Sequence, residues 1–112
     1  MNDDANAPTS FCVVLTTLGS AAQAEALATQ IVAAGLGACV QVQAVKSFYR
    51  WKGKACAEPE WQLSIKTRKA QYARLEDFIR AHHGYETPEI VQLPIEAGSA
   101  DYLQWVAAGS AG

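Results

Sequence analysis

A ferredoxin-like α+β sandwich is the fold class this sequence predicts, from three observations. Apolar residues alternate with polar ones, or run together at strand length, in four stretches. Two longer stretches and one short one repeat apolar residues at helical spacing. Gly, Ser and Pro fall between these stretches, where a chain turns. In order they read strand, helix, strand, strand, helix, strand, short helix, a split βαβ arrangement with an antiparallel sheet and both main helices on one face. The chain of 112 residues suits a single domain. We place it at 10–108, between a disordered N-terminal tail (1–9) and a fraying C-terminal tail (109–112).

Phe11–Thr17 opens the domain as a β-branched apolar run, with both faces covered as in a central strand. Ser20 can cap the helix that follows by accepting from a free N–H of its first turn. Ala24, Leu27, Ala28, Ile31 and Val32 carry that helix to Ala34, and Gly35 stops it. From Ala38 to Trp51 the chain reads as a long strand, with Val40 and Val42 alternating with Gln41 and Gln43. Lys52-Gly53-Lys54 turns it back. The returning strand is expected over Glu60–Lys69, with Trp61, Leu63, Ile65 and Thr67 on one face; the two strands form a long hairpin whose pattern is weakest at Ala55–Pro59.

Tyr72, Leu75, Ile79 and His82 then mark a helix that Gly84 ends. Glu89–Glu96 reads as a strand with Val91, Leu93 and Ile95 inward, and Pro94 confines it to a sheet edge. Ser99 caps a short helix, Ala100–Ala108. Two helices cannot cover both faces of such a sheet. The bare face carries Gln41, Gln43, Gln62, Ser64 and Lys66, yet the first strand is apolar on both sides, so that face is expected to pack on other subunits of a ring.

Composition removes several classes of function. A net charge near −2 with dispersed Lys and Arg argues against nucleic acid as a partner. No run approaches the roughly 20 apolar residues of a membrane span. The acidic, polar start is no secretory signal, so the expected location is the cytoplasm. Cys12, Cys39 and Cys56 are odd in number and widely spaced, and read as free thiols. No hydrolase elbow, zincin or Walker motif is present, and we expect no enzyme activity and no organic cofactor.

The richest chemistry lies in His82-His83-Gly84-Tyr85-Glu86-Thr87-Pro88-Glu89-Ile90, between a helix and a strand. His82 and His83 can ligate a transition metal as neutral imidazoles. Adjacent helical positions point about 100° apart, so their rings converge only if the helix relaxes at Gly84. The alternative is a pair of hydrogen-bonding residues at a subunit cleft. Cys39 offers a thiolate suited to copper or zinc, or else a small buried hydrophobe. Glu86 and Glu89 are carboxylates for metal or acid–base work, or partners to Arg50, Lys66 or Arg68 across an interface. Tyr49, Trp51, Trp61, Tyr85 and Trp105 could wall a pocket or anchor core and interface. Lys66 could hold an anion in a cleft.

Taken together, Val-Leu-Thr-Thr (14–17), Gly-Leu-Gly-Ala-Cys-Val (35–40) and Ser-Phe-Tyr-Arg-Trp-Lys-Gly-Lys (47–54) resemble the CutA family of divalent-cation tolerance proteins. The same holds for Ile-Lys-Thr (65–67), the histidine segment (82–90), Leu-Pro-Ile-Glu-Ala-Gly (93–98) and Tyr-Leu-Gln-Trp-Val (102–106). The resemblance covers Val13 to Val106. It implies a homotrimer with sheets packed around a threefold axis, similar to PII signalling proteins, and a role in tolerance to copper and other divalent cations. On that reading His82, His83 and Cys39 contact the metal, copper(II) first among the divalent ions. The alternative is a PII-like module whose inter-subunit cleft, lined by Lys66, Tyr85, Glu86 and Glu89, holds a small molecule or a partner protein. A third option is a trimeric scaffold with no ligand. The chain departs from the family in three places. Thr16 stands where some relatives have a proposed copper-ligating Cys, Gly84 replaces a Pro, and Gln43-Ala44 replaces Pro-Gly.

Overall fold

The computed structural model describes residues 10–112. The tail expected over 1–9 lies outside them. Strand β1 (Phe11–Leu18) is followed by helix α1 (Ala21–Ala33), then by strands β2 (Cys39–Trp51) and β3 (Lys54–Arg68). A 3₁₀ turn (Lys69–Gln71) leads into helix α2 (Tyr72–His82), strand β4 (Val91–Pro94) and helix α3 (Ala100–Gly109). The sheet runs β2-β3-β1-β4, and every neighbouring pair is antiparallel. This is the split βαβ arrangement, with β4 at an edge where Pro94 is tolerated.

Local chemistry sets α1. The Ser20 hydroxyl accepts from the Gln23 N–H at 3.1 Å and fixes its start. At its end Gly35 takes φ +69°, a left-handed value that Gly adopts without penalty. Leu36 N–H then donates to Ile31 O and Gly35 N–H to Val32 O, a Schellman closure that turns buried Leu36 into the core. The β2–β3 hairpin closes through Lys52 (φ 48°) and Gly53 (φ 80°), both left-handed, as a tight two-residue turn requires.

Val14 and Leu18 of β1 and Leu63 and Ile65 of β3 face α1 (Ala24, Leu27, Ile31) and α2 (Leu75, Ile79). These side chains are buried and form the main core. The opposite face is covered differently. Phe11, Leu103 and Val106 form a second buried cluster there, joined by Ala38, Ile95 and Ala107, so α3 covers one end of that face.

Several expectations change. β3 begins at Lys54, not Glu60, and runs through Pro59 opposite Lys46. β1 pairs with β3 only from Trp61 onward, so at Pro59 the missing N–H faces no second strand. β4 is shorter than Glu89–Glu96, and its Val91 and Leu93 are exposed rather than inward. They pair with Leu15 and Val13 on the face away from α1 and α2; alternation fixed their parity but not which face is covered. Val32 faces solvent instead of closing the α1 stripe.

The C-terminal residues do not fray. Ser110 is fully buried, and its carbonyl accepts from Arg68 Nε (3.0 Å), Arg68 Nη2 (2.9 Å) and Gln71 Nε2 (2.8 Å). Gly112 N–H donates to Gly35 O, and Gly112 O accepts from Arg74 Nη1. Three long polar side chains thus hold the end of the chain against the α1 terminus.

Candidate functional site

The other end of the sheet face left bare by α1 and α2 holds a cleft of about 770 Å³. The β2 hairpin arm contributes Ser47, Phe48, Tyr49 and Trp51; β3 contributes Glu60 and β1 contributes Thr17. The segment after α2 closes the cleft with Gly84, Tyr85, Glu86, Thr87, Pro88 and Glu89. The volume lies in the ordinary range for small-ligand sites.

Two side chains build it. His83 leaves the helix in extended geometry (φ −101°, ψ 142°), so its ring turns back over β1. His83 Nε2 lies 2.7 Å from Thr17 O, and Tyr85 N–H points at His83 Nδ1 from 3.1 Å. A carbonyl only accepts and a peptide N–H only donates, so Nε2 carries the proton and Nδ1 the lone pair. Both ring nitrogens are therefore engaged in pinning the segment.

Tyr85 follows, tilted against the His83 ring at 4.9 Å between centroids, and its hydroxyl donates to Glu60 Oε2 at 2.9 Å. Burial and the hydrogen bond to the adjacent Glu60 carboxylate push the Tyr85 phenol up to about 12. Gly19 permits this placement: a Cβ there would meet the Tyr85 hydroxyl at 3.2 Å.

The predicted metal ligands do not converge. His82 Nδ1 donates to Phe78 O at 2.8 Å, and its ring stacks on Phe78 at 4.2 Å, on an exposed part of α2. Of the four imidazole nitrogens, only His82 Nε2 keeps a lone pair free of a described hydrogen bond. Cys39 is half-buried and pairs with Lys66, whereas Thr17 pairs with Gln62. Those β3 positions are four residues apart, roughly 13 Å along the strand. Among the described residues no three His, Cys, Asp or Glu side chains group to hold an ion. Within one chain the donor set does not fit a metal centre, which ordinarily takes three or four protein ligands.

Thr16 gives a related result. It is fully buried on the face under the helices, opposite Leu63, and its Oγ1 is the one buried side-chain polar atom without a hydrogen-bond partner among the described residues. A ligand at this position would point into the core.

Of the predicted cleft residues, Tyr85, Glu86 and Glu89 line one wall and Lys66 does not. Lys66 Nζ donates to Gln41 Oε1 at 3.0 Å and lies 5.5 Å from the Tyr102 ring centroid, toward α3. Tyr49 and Trp51 reach the cleft, whereas Trp61 packs on the main core and Trp105 is exposed on α3. Cys12 is buried, and burial pushes its thiol up to about 11, so it is a hydrophobe rather than a ligand. Sequence reasoning missed Glu60, Phe48 and Ser47. The usable signal was the hairpin turn, since counting back from Lys52-Gly53 pairs Val45 with Glu60 and Ser47 with Glu58.

Comparison with known proteins places this geometry. Residues 12–109 match the model of the CutA1 divalent ion tolerance protein family. The divalent-cation tolerance protein CutA of Archaeoglobus fulgidus is 38% identical over 90 residues, covering 80% of this chain and 88% of its own. The structure of CutA from Synechococcus elongatus superposes with a TM-score of 0.88 at 34% identity, over 92% of each chain. A Nostoc relative described as a PII-like protein CutA gives a TM-score of 0.84 at 32% identity, over 88% of this chain and 96% of its own.

Proposed function

The chain belongs to the CutA1 divalent ion tolerance family, and from that premise we propose that it serves divalent-cation tolerance as a PII-like binding module whose ligand occupies the Tyr85–Glu60 cleft. The observation that carries this reading is the commitment of both His83 nitrogens to Thr17 O and Tyr85 N–H. A histidine used in that way shapes a cleft and has no lone pair left for a metal. Metal tolerance is then an indirect output of what the cleft binds. The working assembly in this proposal is a homotrimer, formed through the bare sheet face where Val13, Leu15, Val91 and Leu93 make an apolar cross-strand row.

One observation favours a second reading. His82 is exposed and its Nε2 makes no hydrogen bond among the described residues, and in a trimer it could combine with groups of neighbouring subunits to hold copper(II). Calorimetric titration of copper(II) into metal-stripped protein of known oligomeric mass separates the two. The module reading expects weak, non-stoichiometric heat that a His82→Ala/His83→Ala variant shares. One ion per subunit, lost in that variant, overturns it in favour of the metal reading.

A further inference from the structure

The Glu60 side chain is the strongest unexplained feature of the cleft. Its residue is only 9% exposed, and its one described hydrogen bond is from the Tyr85 hydroxyl. Among the described residues the single ion pair is Arg80–Glu76, within α2, so Glu60 has no cationic partner there. Burying a carboxylate without a counter-charge is strongly unfavourable. Glu86 and Glu89 line the same cleft, and among the described residues no Lys or Arg does. The remaining wall is aromatic: Phe48, Tyr49, Trp51 and Tyr85. Ring faces attract cations. This hairpin already shows it, with Lys46 Nζ 5.5 Å from the Phe48 centroid and Lys52 Nζ 5.6 Å from that of Trp51.

We propose that the cleft binds an organic cation, an ammonium or guanidinium group on a short apolar stem, with Glu60 as its counter-ion and Tyr49 and Tyr85 as its aromatic wall. The inference rests on the reading of the cleft as the ligand site and names the ligand class. An anion would face three carboxylates here, with no Lys or Arg among the described lining residues to offset them. A bare metal ion finds no convergent set of three ligands among the described residues. An alkyl cation uses both parts of the lining, the buried charge and the rings. The cation has two sources, a free small amine or an Arg or Lys side chain of a second copy of this chain.

The test is a titration of the intact assembled protein with butylammonium and butylguanidinium, against neutral butanol, read from the side-chain NMR signals of Tyr85 and Trp51. Both cations are expected to saturate and butanol to give no saturable shift. Glu60→Gln, which keeps an acceptor for the Tyr85 hydroxyl, is expected to weaken cation binding by about tenfold or more, the size of one charge-assisted contact. Tyr49→Leu removes a ring without touching Glu60 and is expected to weaken it by about threefold, as one cation–π contact does. If neither cation binds but Glu60→Gln lowers the oligomeric mass, the cation comes from a second copy. Equal binding of butanol, undiminished binding by Glu60→Gln, or no binding together with unchanged mass would each overturn the proposal. Stoichiometric copper(II) binding lost with His82 and His83 is a separate result, and it would overturn the module reading instead.

Discussion

The two ends of the sheet face opposite α1 and α2 are finished in opposite ways. At one end α3 seals Phe11 beneath Leu103 and Val106, and Arg68 and Gln71 satisfy the Ser110 carbonyl. At the other end a carboxylate is buried beside a phenol, the rings of Phe48, Tyr49 and Trp51 stand partly exposed, and His83 holds the covering segment by two hydrogen bonds. The sealed end follows the rules for stability: apolar groups buried together and polar atoms paired. The open end breaks them, with an unpaired charge inside and large apolar surface outside. Local violation of folding preferences inside an otherwise consistent chain is what a binding site looks like.

The contrast can be broken by mutation, and the largest effect belongs to the sealed end. Phe11→Ala should cost about 3–5 kcal/mol, since a fully buried ring is lost and a cavity left. Urea unfolding of the variant measures it, and a loss below 1 kcal/mol, on the order of a surface change, would mean that α3 does not seal that end. A smaller effect of opposite sign is expected just under the open end. Thr16→Val replaces a buried hydroxyl without a partner by an apolar group of similar shape, and should stabilise by about 1 kcal/mol. An unchanged or lowered denaturant midpoint would show that the hydroxyl is satisfied in solution.

The smallest effect concerns alkaline pH. The Tyr85 phenol is raised in the folded chain from its ordinary value of 10.0 to about 12. Between those values the unfolded chain releases that proton while the folded chain keeps it. The contribution is therefore full below pH 10 and declines as pH rises toward 12. Melting temperatures over that window should fall less steeply for Tyr85→Phe than for the wild type. Parallel slopes would remove the Glu60–Tyr85 pair from the account.

How much of this was legible in the sequence depends on how local each determinant is. Ser20 and Gly35 announced α1 because a cap and a left-handed terminus act within a few residues. The order of elements, and with it the fold, followed from periodicity. The early start of β3 did not, because Ala55–Pro59 reads poorly as a strand and is held in register by β2. β4 showed its alternation but not its exposure, since which sheet face is covered depends on where α3 lands. In the site, Tyr85, Glu86 and Glu89 were legible as a cluster. Glu60 was not, because its partner is 25 residues away and only tertiary structure brings the Tyr85 hydroxyl to it. Adjacent histidines suggested one shared ligand. The structure turns one onto the Phe78 carbonyl and the other onto Thr17, and gives them separate work.

The most direct test of the account is therefore the state of His83 itself. Long-range proton–nitrogen NMR of the imidazole rings, recorded while zinc(II) is added to the assembled protein, reads both nitrogens at once. The account predicts a His83 ring protonated at Nε2, with Nδ1 an acceptor, whose nitrogen shifts stay put as zinc is added. A His83 nitrogen that moves to the metal-bound position with saturating stoichiometry would contradict it, and would return the histidine pair to the centre of the site.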